Sequence, residues 1–189
     1  MELKSRTSAW TLLVASIAGF LASFILTYDK FKVLKDSGYT PSCNINATLN
    51  CKSVMLSKQA EVFGFPNSLI GVATFAMMLV IAVALFFGIS FPKLFWQLAV
   101  TGTALAAFFC HWLAYQTTFI IGALCPYCMV AWFATLLVLS VGIRELLEFK
   151  RQSASDEDSQ IAIETIQKWM VPFHLVWAGL LIGAAFMGV

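Results

Sequence analysis

The stretch from Leu94 to Ile143 contains no aspartate, glutamate, lysine or arginine over about 50 residues. As one continuous helix it would reach roughly 75 Å, at about 1.5 Å per residue. The hydrocarbon core of a bilayer is only about 30 Å thick. A segment this long and this apolar therefore has to fold back on itself, and the sequence predicts two membrane crossings within it.

Three more stretches lack these four residue types, at 7–28, 62–92 and 169–189. Hydrophobic residues make up 60% of the chain and charged residues 12%, against about 25% charged in an ordinary soluble domain. The first apolar run lacks a clear signal cleavage site, so we expect it to be retained. These features predict an all-α polytopic membrane protein, a single domain over 1–189 with five transmembrane helices. The predicted spans are Ser8 to Tyr28, Ser68 to Gly88, Leu94 to Tyr115, Pro126 to Ile143 and Trp169 to Val189.

The polar connections define the rest of the organisation. A loop at 29–65 joins the first two spans, and a charged linker at 144–168 precedes the last one. The centre of that linker is rich in serine and acidic residues, which is typical of a solvated loop. The net charge of +2 and the absence of a basic stripe argue against a nucleic-acid partner.

Four of the five cysteines form two close pairs, Cys43 with Cys51 and Cys125 with Cys128. The loops after the first and third spans face the same side of a membrane, so both pairs share one compartment. Lysines and arginines number seven on the N-terminal side and five on the cysteine side. This bias predicts a cytoplasmic N-terminus. The cysteine pairs and the C-terminus are then extracytoplasmic, where disulfides persist. Three lysines near the end of the first span favour the opposite orientation: Lys30, Lys32 and Lys35.

The motif Cys125-Pro126-Tyr127-Cys128 lies where an uncharged loop becomes an apolar helix, with proline suited to the first helical position. Free N–H groups and the helix dipole at such a start stabilise a thiolate. The spacing places both sulfurs on one face, with Cys128 about 4.5 Å deeper. We therefore interpret the motif as a redox-active pair whose shallower thiol meets a protein and whose deeper thiol meets a lipid-soluble molecule. The alternative is a static disulfide.

Cys43 and Cys51 lie in a polar segment with turn-forming residues throughout. Thiol–disulfide exchange proceeds through mixed disulfides. A flexible dithiol here is therefore expected to collect electrons from a partner and deliver them to Cys125. The alternative is a loop disulfide without a redox role.

Three further residues are candidates for a ligand pocket beside these cysteines, whereas Cys110 is given a packing role. The Asn67 amide either caps the second span or donates a hydrogen bond to a ligand carbonyl. Trp132, four residues after Cys128, either packs on the ligand ring or is ordinary packing. His111 either relays a proton or packs with its nitrogens hydrogen-bonded. Cys110 is interpreted as a small buried apolar residue.

In order along the chain, three motifs resemble the vitamin K epoxide reductase homologues, particularly the bacterial ones. They are C-x7-C in the first loop, Phe63-Gly64-Phe65-Pro66-Asn67-Ser68 followed by Gly71, and Gly122-Ala123-Leu124-Cys125-Pro126-Tyr127-Cys128.

The resemblance implies a four-helix bundle around a quinone, with an active disulfide between Cys125 and Cys128 and with Cys128 facing the quinone. It implies that the other two paired cysteines are the shuttle pair. By the same resemblance, Ser57 supplies a hydroxyl near the redox centre, and Asn67 hydrogen-bonds a quinone carbonyl. Trp132 stands where animal members have a tyrosine.

The predicted function is that of a thiol:quinone oxidoreductase in the bacterial inner membrane, with menaquinone or ubiquinone as electron acceptor. Many bacterial relatives carry a fused thioredoxin-like domain, so for this chain we expect a separate periplasmic thioredoxin-like partner of the DsbA type. A DsbB-type enzyme performs the same reaction but has its C-x-x-C in the first outer loop. Two other classes remain as alternatives: a metal-handling membrane protein that uses cysteine thiolates, and a binding or structural subunit with stabilising disulfides.

Overall fold

A computed structural model describes residues 2–153 and a set of helical positions between Ile161 and Gly183. The elements are α1 (Glu2–Lys35), α2 (Cys51–Met55), a 3-10 turn (Lys58–Glu61), α3 (Ser68–Phe86), α4 (Lys93–Tyr115), a π-helical segment (Gln116–Ile121) and α5 (Pro126–Ser153). No β-strand occurs among these residues, so the predicted all-α class is confirmed.

Four helices in the described part of the chain are long and apolar enough to cross a membrane: Arg6–Lys35, Ser68–Phe86, Lys93–Ile121 and Pro126–Gln152. They correspond to the first four predicted spans and confirm a polytopic helical membrane protein. The predicted fifth span, Trp169 to Val189, lies largely outside the described residues, as does the centre of the charged linker.

Two helices extend well beyond the predicted spans. α1 continues past Tyr28 to Lys35, and α5 continues past Ile143 to Ser153. The apolar stretch marks only the part of a helix that suits lipid, whereas lysine, arginine, glutamate and leucine are good helix formers and extend the helix beyond it. Near the end of α5, Arg151 forms an ion pair with Glu148 at 3.0 Å. Oppositely charged residues three positions apart stabilise a helix in water.

The bundle is assembled around α1, which packs along α3 and α5, while α5 also packs along α4. The buried contact between α1, α3 and α5 contains Leu12, Ala15, Phe75, Ala82, Ala134, Val138 and Val141. Small residues permit the close approach: Gly19 lies against the ring of Phe75, and Gly71 lies against the side chain of Ser23. Small residues at such contacts are typical of packed membrane helices.

We expect Gly71→Ala to destabilise the bundle, because the new Cβ would overlap the Ser23 side chain and force α1 and α3 apart. Inserting a methyl group into a closely packed contact costs about 1–3 kcal/mol. The matched control is Gly102→Ala in α4, where nothing lies within 4 Å of the new Cβ. Thermal unfolding in detergent should show a lower midpoint for the first variant only; equal midpoints would contradict the assigned α1–α3 contact.

Candidate functional site

The loop that carries the first cysteine pair is folded by asparagine side chains. Asn46 Oδ1 accepts the N–H groups of Thr48 and Leu49 at 3.0 and 2.7 Å. Asn50 caps α2 by accepting the N–H of Ser53 at 3.0 Å. These side chains satisfy backbone groups that would otherwise bond to water, so the loop of the expected shuttle pair has a defined fold.

The same loop is bonded to the chain just before α5. The Leu124 N–H donates to Thr48 O at 2.7 Å, and the Asn50 N–H donates to Leu124 O at 2.9 Å. Gly122, in the left-handed conformation with φ of 68°, ends the π-helical segment and turns the chain into this contact. Cys51 follows Asn50 and Cys125 follows Leu124, so the two backbone bonds bring the cysteine pairs together.

Both cysteine pairs belong to one buried cluster. Cys43 and Cys51 form a disulfide with a Cα–Cα distance of 5.7 Å, whereas Cys125 and Cys128 are free thiols. Cys43, Cys51 and Cys125 pack together with Leu26, Val54, Met55 and Ala123, and Cys128 packs at the edge of this group. Cys125 is only 2% exposed. The interpretation of Cys125 as the thiol that meets a protein directly is therefore wrong here, because the folded loop covers it.

Cys125 precedes the first residue of α5, outside the apolar span that begins at Pro126. Its Sγ accepts the N–H of Cys128 at 3.3 Å. The pKa of Cys125 is lowered, first by a hydrogen bond from the Cys128 thiol and then by the N–H groups of Cys128 and Tyr127; burial and the charge of Asp29 act against this. The helix start thus favours the Cys125 thiolate, the reactive form in exchange.

A cavity of about 700 Å³ opens beside the thiols, walled by α1, α3, α4 and α5. Small-molecule sites have volumes of about 300–1,000 Å³ and mostly apolar walls. The wall contains Cys125 and Cys128, together with all four predicted ligand residues: Ser57, Asn67, His111 and Trp132. Cys110 also lines it, half-buried beside Trp132. Cys43 and Cys51 are not among the described residues of the wall.

Asn67 and Ser57 hold the segment that covers the cysteine end of the cavity. The Asn67 side chain makes no capping bond to α3. Instead, its Nδ2 donates to Gln59 O at 2.7 Å and its Oδ1 accepts the N–H of Val62 at 3.2 Å. The capping interpretation is therefore wrong, and one amide N–H remains for a ligand. Ser57 Oγ donates to Val54 O at 2.7 Å.

Trp132 lines the cavity and carries a buried donor without a partner among the described residues. Its side chain is 5% exposed, and its Nε1 is buried without a hydrogen-bond partner among the described residues. The ring packs edge-on against His111, with 5.1 Å between ring centroids. A buried polar group without a partner costs free energy, so such a group on a cavity wall points to a bound acceptor.

His111 contacts a residue that the sequence analysis did not single out, Trp177. The indole Nε1 of Trp177 donates to His111 Nε2 at 3.1 Å, and His111 Nδ1 lies 2.7 Å from Ala107 O. Because an indole N–H can only donate, the proton of His111 sits on Nδ1. Both nitrogens are therefore engaged, and a proton relay through His111 requires that one of these bonds opens. No local motif around Trp177 signals this contact.

Residues 10–143 match the family model described as the vitamin K epoxide reductase family. A search of curated proteins found no match. The matched region contains the cysteine-bearing loop, α2, α3, α4 and the apolar part of α5, and therefore the whole buried cysteine cluster. The chain thus belongs to the vitamin K epoxide reductase family.

Proposed function

We propose that this membrane oxidoreductase makes disulfides in a thioredoxin-like partner and passes the electrons through Cys43 and Cys51, then Cys125 and Cys128, to a quinone. The observation that carries the proposal is the position of the second pair. Its thiols lie between the buried loop disulfide on one side and an apolar cavity on the other. That arrangement suits a relay from a protein to a lipid-soluble acceptor.

The electron path follows from exchange chemistry. A partner dithiol reduces the Cys43–Cys51 disulfide and becomes a disulfide itself. The loop dithiol then reduces a Cys125–Cys128 disulfide, again by exchange. After this second transfer the loop pair is a disulfide and the α5 pair a dithiol, and the pairing of the cysteines supports this order. Cys128, in the cavity wall, is then the thiol placed to reduce the acceptor.

The cavity suits a quinone by size, by its apolar wall and by its few polar groups. A bound quinone accepts two electrons and two protons. In our proposal, Trp132 Nε1 and the free N–H of Asn67 orient the quinone by donating hydrogen bonds to its carbonyl oxygens. The Ser57 hydroxyl lies near the thiols. From the sequence, Trp132 either packs on the ring or is ordinary packing, and its buried unpaired N–H supports the hydrogen-bonding role proposed here.

We expect Trp132→Phe to raise the apparent quinone KM about two- to tenfold, the effect of losing one hydrogen bond of about 0.5–1.5 kcal/mol. Because Nε1 has no protein partner among the described residues, the midpoint of thermal unfolding should stay the same or rise slightly. Trp96→Phe is the matched control, since Trp96 is equally buried but does not line the cavity. A lower unfolding midpoint with unchanged quinone KM in Trp132→Phe would remove Trp132 from the site.

We also propose that the cysteine cluster faces the extracytoplasmic side of the bacterial inner membrane, with the N-terminus in the cytoplasm. The support is the bias of lysine and arginine toward the N-terminal side and the chemistry of the site, since oxidising compartments sustain disulfides. Single-cysteine labelling at loop positions in intact cells tests the orientation; protection of those positions from an impermeant thiol reagent would contradict it.

The proposed activity is tested with purified protein, a reduced thioredoxin-like donor and a soluble quinone analogue. We expect absorbance to show quinone reduction that requires all three components. A donor that becomes oxidised without loss of quinone would contradict the quinone as acceptor, and no oxidation of the donor would contradict the enzyme assignment.

The metal-handling alternative gains no support from the geometry. Within the described part of the chain, no group of three or more His, Cys, Asp and Glu side chains is arranged to hold a metal ion. Two of the candidate thiolates, Cys43 and Cys51, are bonded to each other.

A further inference from the structure

A buried carboxylate, Asp29, lies beside the cysteine cluster and has no role in the path described so far. Leu26 belongs to the cluster, and Asp29 lies three residues further along α1, on the same face of the helix. Asp29 is only 4% exposed. The end of α1 therefore carries a buried carboxyl group one helical turn from the cysteine cluster.

Only one oxygen of this carboxyl group has a partner. Asp29 Oδ1 accepts the hydroxyl of Tyr39 at 2.8 Å. Asp29 Oδ2 is buried and has no hydrogen-bond partner among the described residues. Buried carboxylates are normally paired or fully hydrogen-bonded, because burial of a bare charge is costly. An oxygen left open at a reaction site is free to accept a proton.

The neighbouring lysine does not neutralise Asp29. Lys30 Nζ donates to Met55 O at 2.6 Å and pairs with Glu61 at 2.8 Å. Lys30 therefore ties α1 to the segment that covers the cavity. The charge of Asp29 instead acts on the thiol of Cys125, whose pKa it raises against the larger lowering effects. The geometric link between Asp29 and the cysteines is the buried end of α1, where Leu26 of the cluster lies one helical turn away.

We propose that Asp29 is the proton acceptor and donor for thiol–disulfide exchange between the Cys43/Cys51 pair and the Cys125/Cys128 pair. The inference rests on the proposed function, because it assigns a residue to one step of that path. The carboxyl group of Asp29 belongs to neither cysteine motif and is not among the described residues that line the cavity.

Exchange between the two pairs takes two successive attacks by sulfur. Cys51 sulfur attacks Cys125 sulfur, the Cys125–Cys128 bond breaks, and the proton of Cys51 passes to Asp29. Cys43 sulfur then attacks Cys51 sulfur and releases Cys125, which takes the proton back from Asp29. The proton of Cys43 passes to the Cys128 thiolate. Two electrons and two protons have then moved from the loop pair to the α5 pair, and Asp29 is again a carboxylate.

Other ionisable groups face this region and have to be considered in any pH profile. Tyr39 contributes from the loop, with its pKa raised by the hydrogen bond to Asp29, so its hydroxyl stays protonated as a donor. Tyr28 lies on α1 and Tyr127 at the start of α5, and the Tyr127 hydroxyl contacts Ser42 Oγ at 3.1 Å. Lys52 binds the carbonyl oxygens of Ser37 and Tyr39. The thiol of Cys125 and the ion pair between Lys30 and Glu61 are further groups of this kind.

The test is Asp29→Asn, which keeps the size of the side chain and an acceptor for the Tyr39 hydroxyl but cannot take up a proton. Oxidised protein without quinone is mixed with a reduced thioredoxin-like donor, quenched with acid, and alkylated to count thiols at Cys125 and Cys128. At pH 7 we expect their appearance to slow about 100-fold, the low end of general acid–base effects. The deficit should shrink as pH approaches about 8.5, where a cysteine thiolate forms without a base.

Two controls separate proton transfer from a structural role. Tyr39→Phe removes the hydrogen bond to Asp29 but not the carboxylate, so we expect its pH profile to keep the shape of the native profile. Asp29→Asn protein that has been reduced beforehand should reduce a quinone analogue at the native rate. Three results for Asp29→Asn would overturn the assignment. The first is an exchange rate that is lowered equally at every pH, and the second is a slower quinone reduction by the reduced protein. The third is an exchange rate at pH 7 equal to that of the native protein. Failure of the proposed function is a different result: the native protein itself would then show no exchange or no quinone reduction.

Discussion

Cys128→Ser is expected to reduce quinone-dependent turnover to background with every thiol donor, protein or small molecule. Both donors deliver their electrons to the pair at the start of α5, and Cys128 is the member of that pair within the cavity-lining helix. Serine keeps the size of the side chain but cannot form or break a disulfide. Cys125→Ser should have the same effect, because exchange with the loop pair needs its sulfur. The measurement is steady-state quinone reduction followed by absorbance.

The control is Cys110→Ala, since Cys110 is also a free thiol in the cavity wall. It packs beside Trp132 and Ala107, in a different packing cluster from the two pairs. We expect near-native turnover in this variant. Full activity in Cys128→Ser, or complete loss in Cys110→Ala at normal expression, would require a different assignment of the thiol that reduces the quinone.

Cys43→Ala and Cys51→Ala are expected to impair oxidation of a protein donor far more than oxidation of dithiothreitol. A protein cannot reach Cys125, which is 2% exposed behind the folded loop. A small thiol is able to enter and attack the α5 disulfide directly. Loss of a well-oriented intramolecular partner costs at least about 100-fold, which we expect for the protein donor. Turnover with dithiothreitol should fall much less.

The comparison between the two donors is informative because the loop has supports besides its disulfide. The bonds that Asn46 makes and the bonds to Leu124 hold it in place. Equal losses with both donors would therefore contradict a relay and indicate that the disulfide only maintains the loop. Full activity with the protein donor in a double variant of Cys43 and Cys51 would also contradict the relay, because the electrons would then reach the α5 pair without the loop pair.

Local sequence was sufficient for the membrane helices and for the start of the active helix. Uncharged stretches predict the first four spans, since lipid excludes charge regardless of tertiary contacts. Pro126 predicts the first residue of α5 and hence the N–H groups that reach Cys125. The predicted ligand residues do share one cavity. Their roles toward a quinone stay predictions.

Features that depend on distant residues were not predictable in this way. The asparagines of the loop indicate turns, but the bonds that join the loop to Leu124 come from far along the chain. The extension of α1 carries two charged residues into the protein interior, Asp29 and Lys30. Their partners Tyr39, Met55 and Glu61 all come from outside the helix. Asn67 at a helix start suggests a cap, whereas its actual partners lie in the preceding turn.

The most direct test of the electron path uses no donor in the reaction. Fully reduced protein, freed of reductant and kept anaerobic, is mixed with an excess of quinone analogue, and the quinol formed per protein is counted. The two cysteine pairs predict about two quinols in the native protein, at two electrons for each disulfide formed. A variant with both Cys43 and Cys51 replaced by alanine should yield about one, and Cys128→Ser should yield none. Quinol formation by Cys128→Ser, or no quinol from native protein, would contradict the account.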